Sequence, residues 1–80
     1  MTRSVFSSGY DRFRQMLVEA RMSANLSQVE VAKSLDRPQS YVSKYERGER
    51  RLDVVEFLEV AEVLGVDPIR FIRRLQQYLE

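Results

Sequence analysis

The 80-residue chain has no cysteine and no histidine, and it contains only three glycines and two prolines. Without cysteine there is no disulfide framework and no thiolate metal site, a composition at ease in a reducing cytoplasm. Lacking histidine, it has neither the usual general base nor the commonest zinc ligand. No cofactor and no metal is expected. No apolar run approaches the roughly 18 residues of a membrane span, and the start "MTRSVFSSG" lacks an apolar core of signal-peptide length. A nucleophile with its base, a phosphate loop and metal-ligand spacing are also missing. The 12 acidic residues fall in capping or surface-helix patterns, so catalysis is a poor reading.

What remains is an ordinary soluble globular composition, 44% hydrophobic and 31% charged. A chain this short makes one domain and buries roughly 60% of its unfolded surface. Few helix breakers and helical apolar spacing predict an all-α domain of five helices. Residues 1–8 read as a flexible tail and 9–80 as the domain. Arg3 is the one tail residue that could act as an arm along a polyanion, a frayed terminus being the commoner outcome.

Charge is unevenly placed along the chain. Residues 37–51 carry Arg37, Lys44, Arg47, Arg50 and Arg51 against Glu46 and Glu49, a net +3. Residues 52–68 carry Asp53, Glu56, Glu59, Glu62 and Asp67 with no base, a net −5. Separation of this kind can orient a protein toward a polyanion, although either run could be a merely solvated face.

The first helix is expected from Ser7 or Ser8 to about Met22, with Tyr10, Phe13, Leu17, Ala20 and Ala24 inward and Asn25 as the left-handed stop. Ser27 and Glu30 form a capping box for the second, which turns Val31, Ala32 and Leu35 inward. Pro38 or Gln39 opens the third, which ends before Gly48. Asp53 and Glu56 stand in cap spacing for the fourth, with Val54, Phe57, Leu58, Ala61 and Leu64 inward and Gly65 as the stop. Asp67-Pro68 announces the fifth, over about 68–79.

On a helical wheel the third helix is two-sided. Tyr41, Val42 and Tyr45 fall together, while Gln39, Ser40, Ser43, Lys44 and Arg47 fill an arc of about 140°. A polar helical face is usually only wet. This one has amide, hydroxyl and cationic groups, is followed by the basic loop "RGERR", and is preceded by Gln28 at a helix N-terminus suited to a phosphate. A helix fits the major groove, where glutamine pairs with adenine and lysine reaches guanine. The strip is therefore read as a surface to be covered by double-stranded DNA.

"LSQVEVAKSL", "PQSYVSKYERGERRL" and "EFLEVAEVLGV" together resemble the helix-turn-helix of the Xre family, phage-repressor-like (lambda-repressor-like) regulators. The likeness runs from about Phe13 to Leu75 and rests on Ala32, Val31, Leu35, Val42 and the Glu46-Arg47-Gly48 stop. It implies five helices, DNA binding and a two-fold homodimer on a palindromic operator. By position it implies that Gln39, Ser40 and Lys44 face bases, with Ser43 between them. Gln28, Arg47, Arg50 and Arg51 would hold phosphates, and Arg21 would pair with Glu46 to tie helix 1 to helix 3. The chain departs from the family at Asp36, a usual glycine, at Arg37, a usual aliphatic, and at Pro38, a usual capping hydroxyl. Arg37 thereby becomes a candidate phosphate contact. Tyr41 is expected as packing, its hydroxyl within possible reach of a phosphate.

The fifth helix is apolar over about half its circumference, wider than one core requires. Ile69 and Ile72 are expected inward, with Phe71, Leu75, Tyr78 and Leu79 at least partly toward a second copy. The reading is a sequence-specific transcriptional regulator, a repressor acting as a homodimer, cytoplasmic and nucleoid-associated in a prokaryote or phage. No membrane or small-molecule partner is evident. The alternative is a protein-interaction module on the same fold, an antitoxin or coactivator-like adaptor.

Overall fold

Most helix boundaries are set by a side chain or a left-handed residue close to them in sequence. The structure, a computed structural model, describes residues 8–80. It contains α1 (Ser8–Ser23), α2 (Gln28–Leu35), α3 (Gln39–Glu46), α4 (Val54–Leu64) and α5 (Pro68–Leu79), with no strand among the described residues. Ser8 opens α1; the rest of the expected tail, Arg3 included, lies outside the described residues.

The Ser27 hydroxyl accepts from the Glu30 N–H at 3.0 Å, and the Glu30 carboxylate accepts from the Ser27 N–H at 2.8 Å. Asp53 and Glu56 repeat this reciprocal box at 2.7 and 3.0 Å. Such caps contribute about 1 kcal/mol each by satisfying N–H groups that the helix leaves open. Asp67 accepts from Ile69 N–H at 2.9 Å, and Pro68 follows in the first helical position. Asn25 and Asp36 take left-handed conformations with φ of 61° and 57°, as only short polar side chains readily do. Pro38 precedes α3 rather than entering it, and α3 has no side-chain cap.

The core draws on every helix. Phe13 and Leu17 come from α1, Val31 from α2, Val42 and Tyr45 from α3, Phe57 and Val60 from α4, and Phe71 from α5. Phe13, Phe57 and Phe71 form a triangle with ring centroids 5.2–5.8 Å apart, tilted or edge-on as aromatic quadrupoles prefer. Burying side chains of this size stabilises the fold by about 1.5–3 kcal/mol each. α1 lies against both α3 and α5, and α2 against both α3 and α4.

Several expected facings are corrected. Met16 and Val60 are buried although neither was expected inward, and Ala24 is exposed. On α4, Val54 and Leu58 are 74% and 47% exposed, because the core-facing line runs through Phe57, Val60, Ala61 and Leu64. On α5 the expected division is corrected at Phe71, Ile69 and Ile72, while Tyr78 and Leu79 are exposed as expected. Phe71 is 4% exposed, closing the aromatic triangle of its own chain, whereas Ile69 and Ile72 are 64% and 44% exposed. Leu75 is half-buried against the core.

Gly48 and Gly65 both have positive φ, 79° and 72°. A Cβ on Gly48 would stand 3.2 Å from the Arg14 side chain, while one on Gly65 would meet nothing within 4 Å. Gly48→Ala should therefore cost about 1–2 kcal/mol in urea unfolding, and Gly65→Ala about 1 kcal/mol or less. Equal losses would mean that the Arg14 contact carries no weight.

Candidate nucleic-acid interface

α3 turns Val42 and Tyr45 fully into the core, with Tyr41 largely buried beside them. On the other side Gln39, Ser40, Lys44 and Arg47 are exposed and Ser43 is half-buried. The structure thus brings the sequence-selected polar residues together on one outward strip.

What holds that strip in place is Glu46, a carboxylate only 6% exposed. Arg21 donates to it through Nε at 2.7 Å and Nη2 at 3.2 Å, a two-pronged pair from α1. Gln28 Nε2 donates to the same carboxylate at 2.8 Å, from the first turn of α2. Arg21 Nη1 also donates to the Leu26 carbonyl at 2.8 Å, gripping the loop before α2. The hydrogen bond to Glu46 holds the Arg21 guanidinium above its ordinary pKa, against the opposing effect of burial.

Arg14 was not among the sequence candidates. Its Nη1 donates to the main-chain carbonyl of Glu46 at 2.9 Å, and its Nε bonds to Asp11 at 3.1 Å. Arg14 and Arg21 stand two turns apart on one face of α1 and grip the backbone and the side chain of the same residue. That spacing was the available signal.

Gln28 has a second bond. Its Oε1 accepts from Gln39 Nε2 at 3.3 Å, so Arg21, Glu46, Gln28 and Gln39 form a continuous polar chain from α1 to the exposed strip. The amide expected at a phosphate is committed on both ends within the protein.

The candidate phosphate arginines are not loose either. Arg37 and Arg50 stack on the Tyr41 ring, their guanidinium carbons 4.5 and 4.7 Å from its centroid. Arg50 also makes a two-pronged pair with Glu56 at 3.1 and 2.7 Å and donates to the Arg51 carbonyl at 3.1 Å. Arg37 lies 4.0 Å from Glu56 and 3.9 Å from Glu59, and Arg47 pairs with Glu49 at 3.0 Å. Arg51 covers the Tyr10 ring at 4.3 Å. The Tyr10 hydroxyl donates to the Arg50 carbonyl at 3.4 Å and accepts from Leu52 N–H at 3.1 Å, binding the basic loop to α1. Tyr41 serves as a buried platform, and burial followed by the Glu56 charge pushes its phenol pKa up. The Arg47–Glu49 pair is exposed on both sides and contributes about 0–1 kcal/mol, so Arg47 can exchange its partner at small cost, whereas the two-pronged Arg50–Glu56 pair is the firmer one.

Two outcomes follow from this geometry. Glu46→Ala leaves Arg21 without its partner in a site where both side chains are mostly buried. It should destabilise the fold by about 3 kcal/mol in urea unfolding, and an unchanged midpoint would deny the grip. Glu56 is held down to about 2, first by the Arg50 hydrogen bonds and then by the Asp53 N–H. A carboxylate lowered in the folded state contributes stability in full above its ordinary value, near 4.5, and loses it as the pH falls toward 2. Glu56→Gln should therefore flatten the fall in unfolding midpoint across that interval; parallel curves for the two proteins would contradict it.

A helix-turn-helix family model matches residues 17–71 of the chain. Among solved structures, an XRE-family-like protein from Pseudomonas syringae pv. tomato str. DC3000 is 41% identical, with a TM-score of 0.87 over 91% of this chain and 89% of that one. The restriction-modification controller protein C.Esp1396I is 19% identical and has the same fold, with a TM-score of 0.81 over 92% of this chain and 97% of that one. The same controller, crystallised as a tetramer with its natural 35 base-pair operator, gives a TM-score of 0.80 at 19% identity over 90% of this chain and 95% of that one. No curated protein gives a significant sequence match. With the family model spanning most of the chain and the 41% identical relative spanning nearly all of it, the chain belongs to the XRE family of helix-turn-helix regulators, DNA-binding proteins and not enzymes.

Proposed function

We propose that this regulator is a repressor that binds a palindromic operator in double-stranded DNA as a homodimer, with α3 of each copy in the major groove. One observation carries the reading: the outward strip of α3 consists of Gln39, Ser40, Ser43 and Lys44 on a helix whose other side is sealed in the core. Gln39, Ser40 and Lys44 read base edges, and Ser43 lies between them. Arg37, Arg47, Arg50 and Arg51 neutralise phosphates by exchanging internal partners for the backbone. Gln28 acts chiefly by holding Gln39, and Tyr41 by carrying Arg37 and Arg50. The operator complex of C.Esp1396I offers a precedent for DNA binding on this fold.

The homodimer is supported by where apolar surface is left uncovered. Of nine exposed large hydrophobic residues among those described, Val54, Val55, Leu58, Ile69, Ile72, Tyr78 and Leu79 are on α4 and α5, none on α3. Association through these two helices leaves the polar strips free. Ile69 and Ile72 replace Phe71 as contact residues, Tyr78 and Leu79 remain, and Leu75 lies at the border. Two copies would set their α3 helices about one DNA turn, roughly 34 Å, apart. Such a protein works in the cytoplasm at the nucleoid of a prokaryote or phage-infected cell. No described helix is long and apolar enough to cross a membrane.

The same apolar faces favour the second reading, a protein-interaction module, which leaves the α3 strip idle. Duplexes selected from a random library and titrated by fluorescence anisotropy separate the two. Gln39→Ala and Lys44→Ala should each cost about 1–3 kcal/mol on the selected site and much less on random duplex. Log K should fall with log salt at about −0.9 per phosphate neutralised. Unchanged binding by both variants, or an affinity flat in salt, would leave the adaptor reading in possession.

A further inference from the structure

The outward arcs of α4 and α5 differ in the sign of the charge set among their apolar residues. On α5, Ile69, Ile72, Arg73 and Gln76 occupy an arc of about 100°, opposite the core-facing Phe71. On α4, Val54, Val55, Leu58 and Glu62 occupy a similar arc of about 100°. All eight residues are exposed, and three residues of turn separate the two helices. Neither Arg73 nor Glu62 has an ion-pair partner among the described residues, nor do the flanking Arg70 and Arg74. Elsewhere acids and arginines meet readily, as at Arg21–Glu46 and Arg50–Glu56.

A two-fold axis offers three ways to cover these faces. Pairing α5 with its own copy, antiparallel and centred, brings Arg73 against Arg73, since residue 73 stands at the middle of Pro68–Leu79. Pairing α4 with α4 likewise gathers Glu59 and Glu62 from both copies. Like charges in such a contact oppose association. The remaining way sets α4 of one copy against α5 of the other, and symmetry then makes the same contact twice. Aliphatic side chains meet aliphatic side chains, and each acidic arc faces a basic one.

We infer that the protein dimerises crosswise, α4 of each protomer packing on α5 of the other, with Glu62 of one copy opposite Arg73 of the second. This deepens the homodimer reading above and rests on it. Charge placed beside an apolar seam sets partner and orientation more than raw affinity, so the pair acts as a register device.

Sedimentation equilibrium on full-length chains tests it, with circular dichroism to verify that each variant is folded; both positions are exposed, so the fold is not at risk. Glu62→Arg and Arg73→Glu should each weaken self-association roughly tenfold or more, two attractive contacts becoming repulsive in each homodimer. An equimolar mixture of the two variants should recover wild-type affinity, because in the mixed dimer both contacts again join opposite charges. A Glu62→Arg variant that associates like wild type, or a mixture that fails to recover, overturns the crosswise arrangement while leaving the homodimer standing. A wild-type chain that sediments as a monomer at all concentrations removes the homodimer itself, and this inference with it.

Discussion

The carboxylate of Glu46 is the point on which the rest of the structure turns. It ends the eight-residue α3, and Arg21 and Gln28 reach it from two other helices while Arg14 grips its backbone. An eight-residue helix is too short to be stable alone and takes its position from what it packs on. Val42 and Tyr45 supply the apolar part of that packing, but apolar contact alone tolerates small rotations. Directional hydrogen bonds to a buried charge do not. In the proposed groove-reading role, recognition depends on where side-chain tips fall, so an anchor of this kind would bear directly on specificity. The polar chain continues through Gln28 to Gln39, which links the anchor to the outward strip by contiguous bonds.

A second consequence concerns the arginines around Tyr41. Free arginine side chains lose about 2 kcal/mol of rotamer entropy when fixed. Here Arg37 and Arg50 are already stacked on a buried ring and tied to Glu56, so much of that loss has been met in folding. The basic surface is thus pre-arranged, its charge partly balanced by the carboxylates.

Legibility in the sequence followed the range of the interaction. Ser27 with Glu30, Asp53 with Glu56, Asn25, Asp36, Gly48 and Gly65 all act within a few residues of where they stand, and each was readable as punctuation. The polar face of α3 was readable because its periodicity is strong and its inward residues few. Facings on α4 and α5 were not. Both helices are apolar well beyond one stripe, and a wheel cannot tell which part of a wide arc meets the core; only the meeting of Phe57, Phe13 and Phe71 decides it. Long-range polar contacts were also hidden. Arg14 to Glu46 spans 32 positions, and Tyr10 to Leu52 spans 42. The acid partners of Arg37 and Arg50 are invisible in charge runs along the chain, because the fold pairs residues of the basic run with residues of the acidic one.

Phe71 lies inside its own protomer, and this separates two processes that small regulators often combine. A single chain supplies all three rings of its aromatic triangle, so no second molecule is needed to complete it. Subunits that fold alone can associate and part within the lifetime of the cell's protein pool. For the proposed homodimer, operator occupancy would climb with the square of copy number over the range where single chains predominate. In the proposed homodimer a modest rise in expression would raise occupancy more than in proportion.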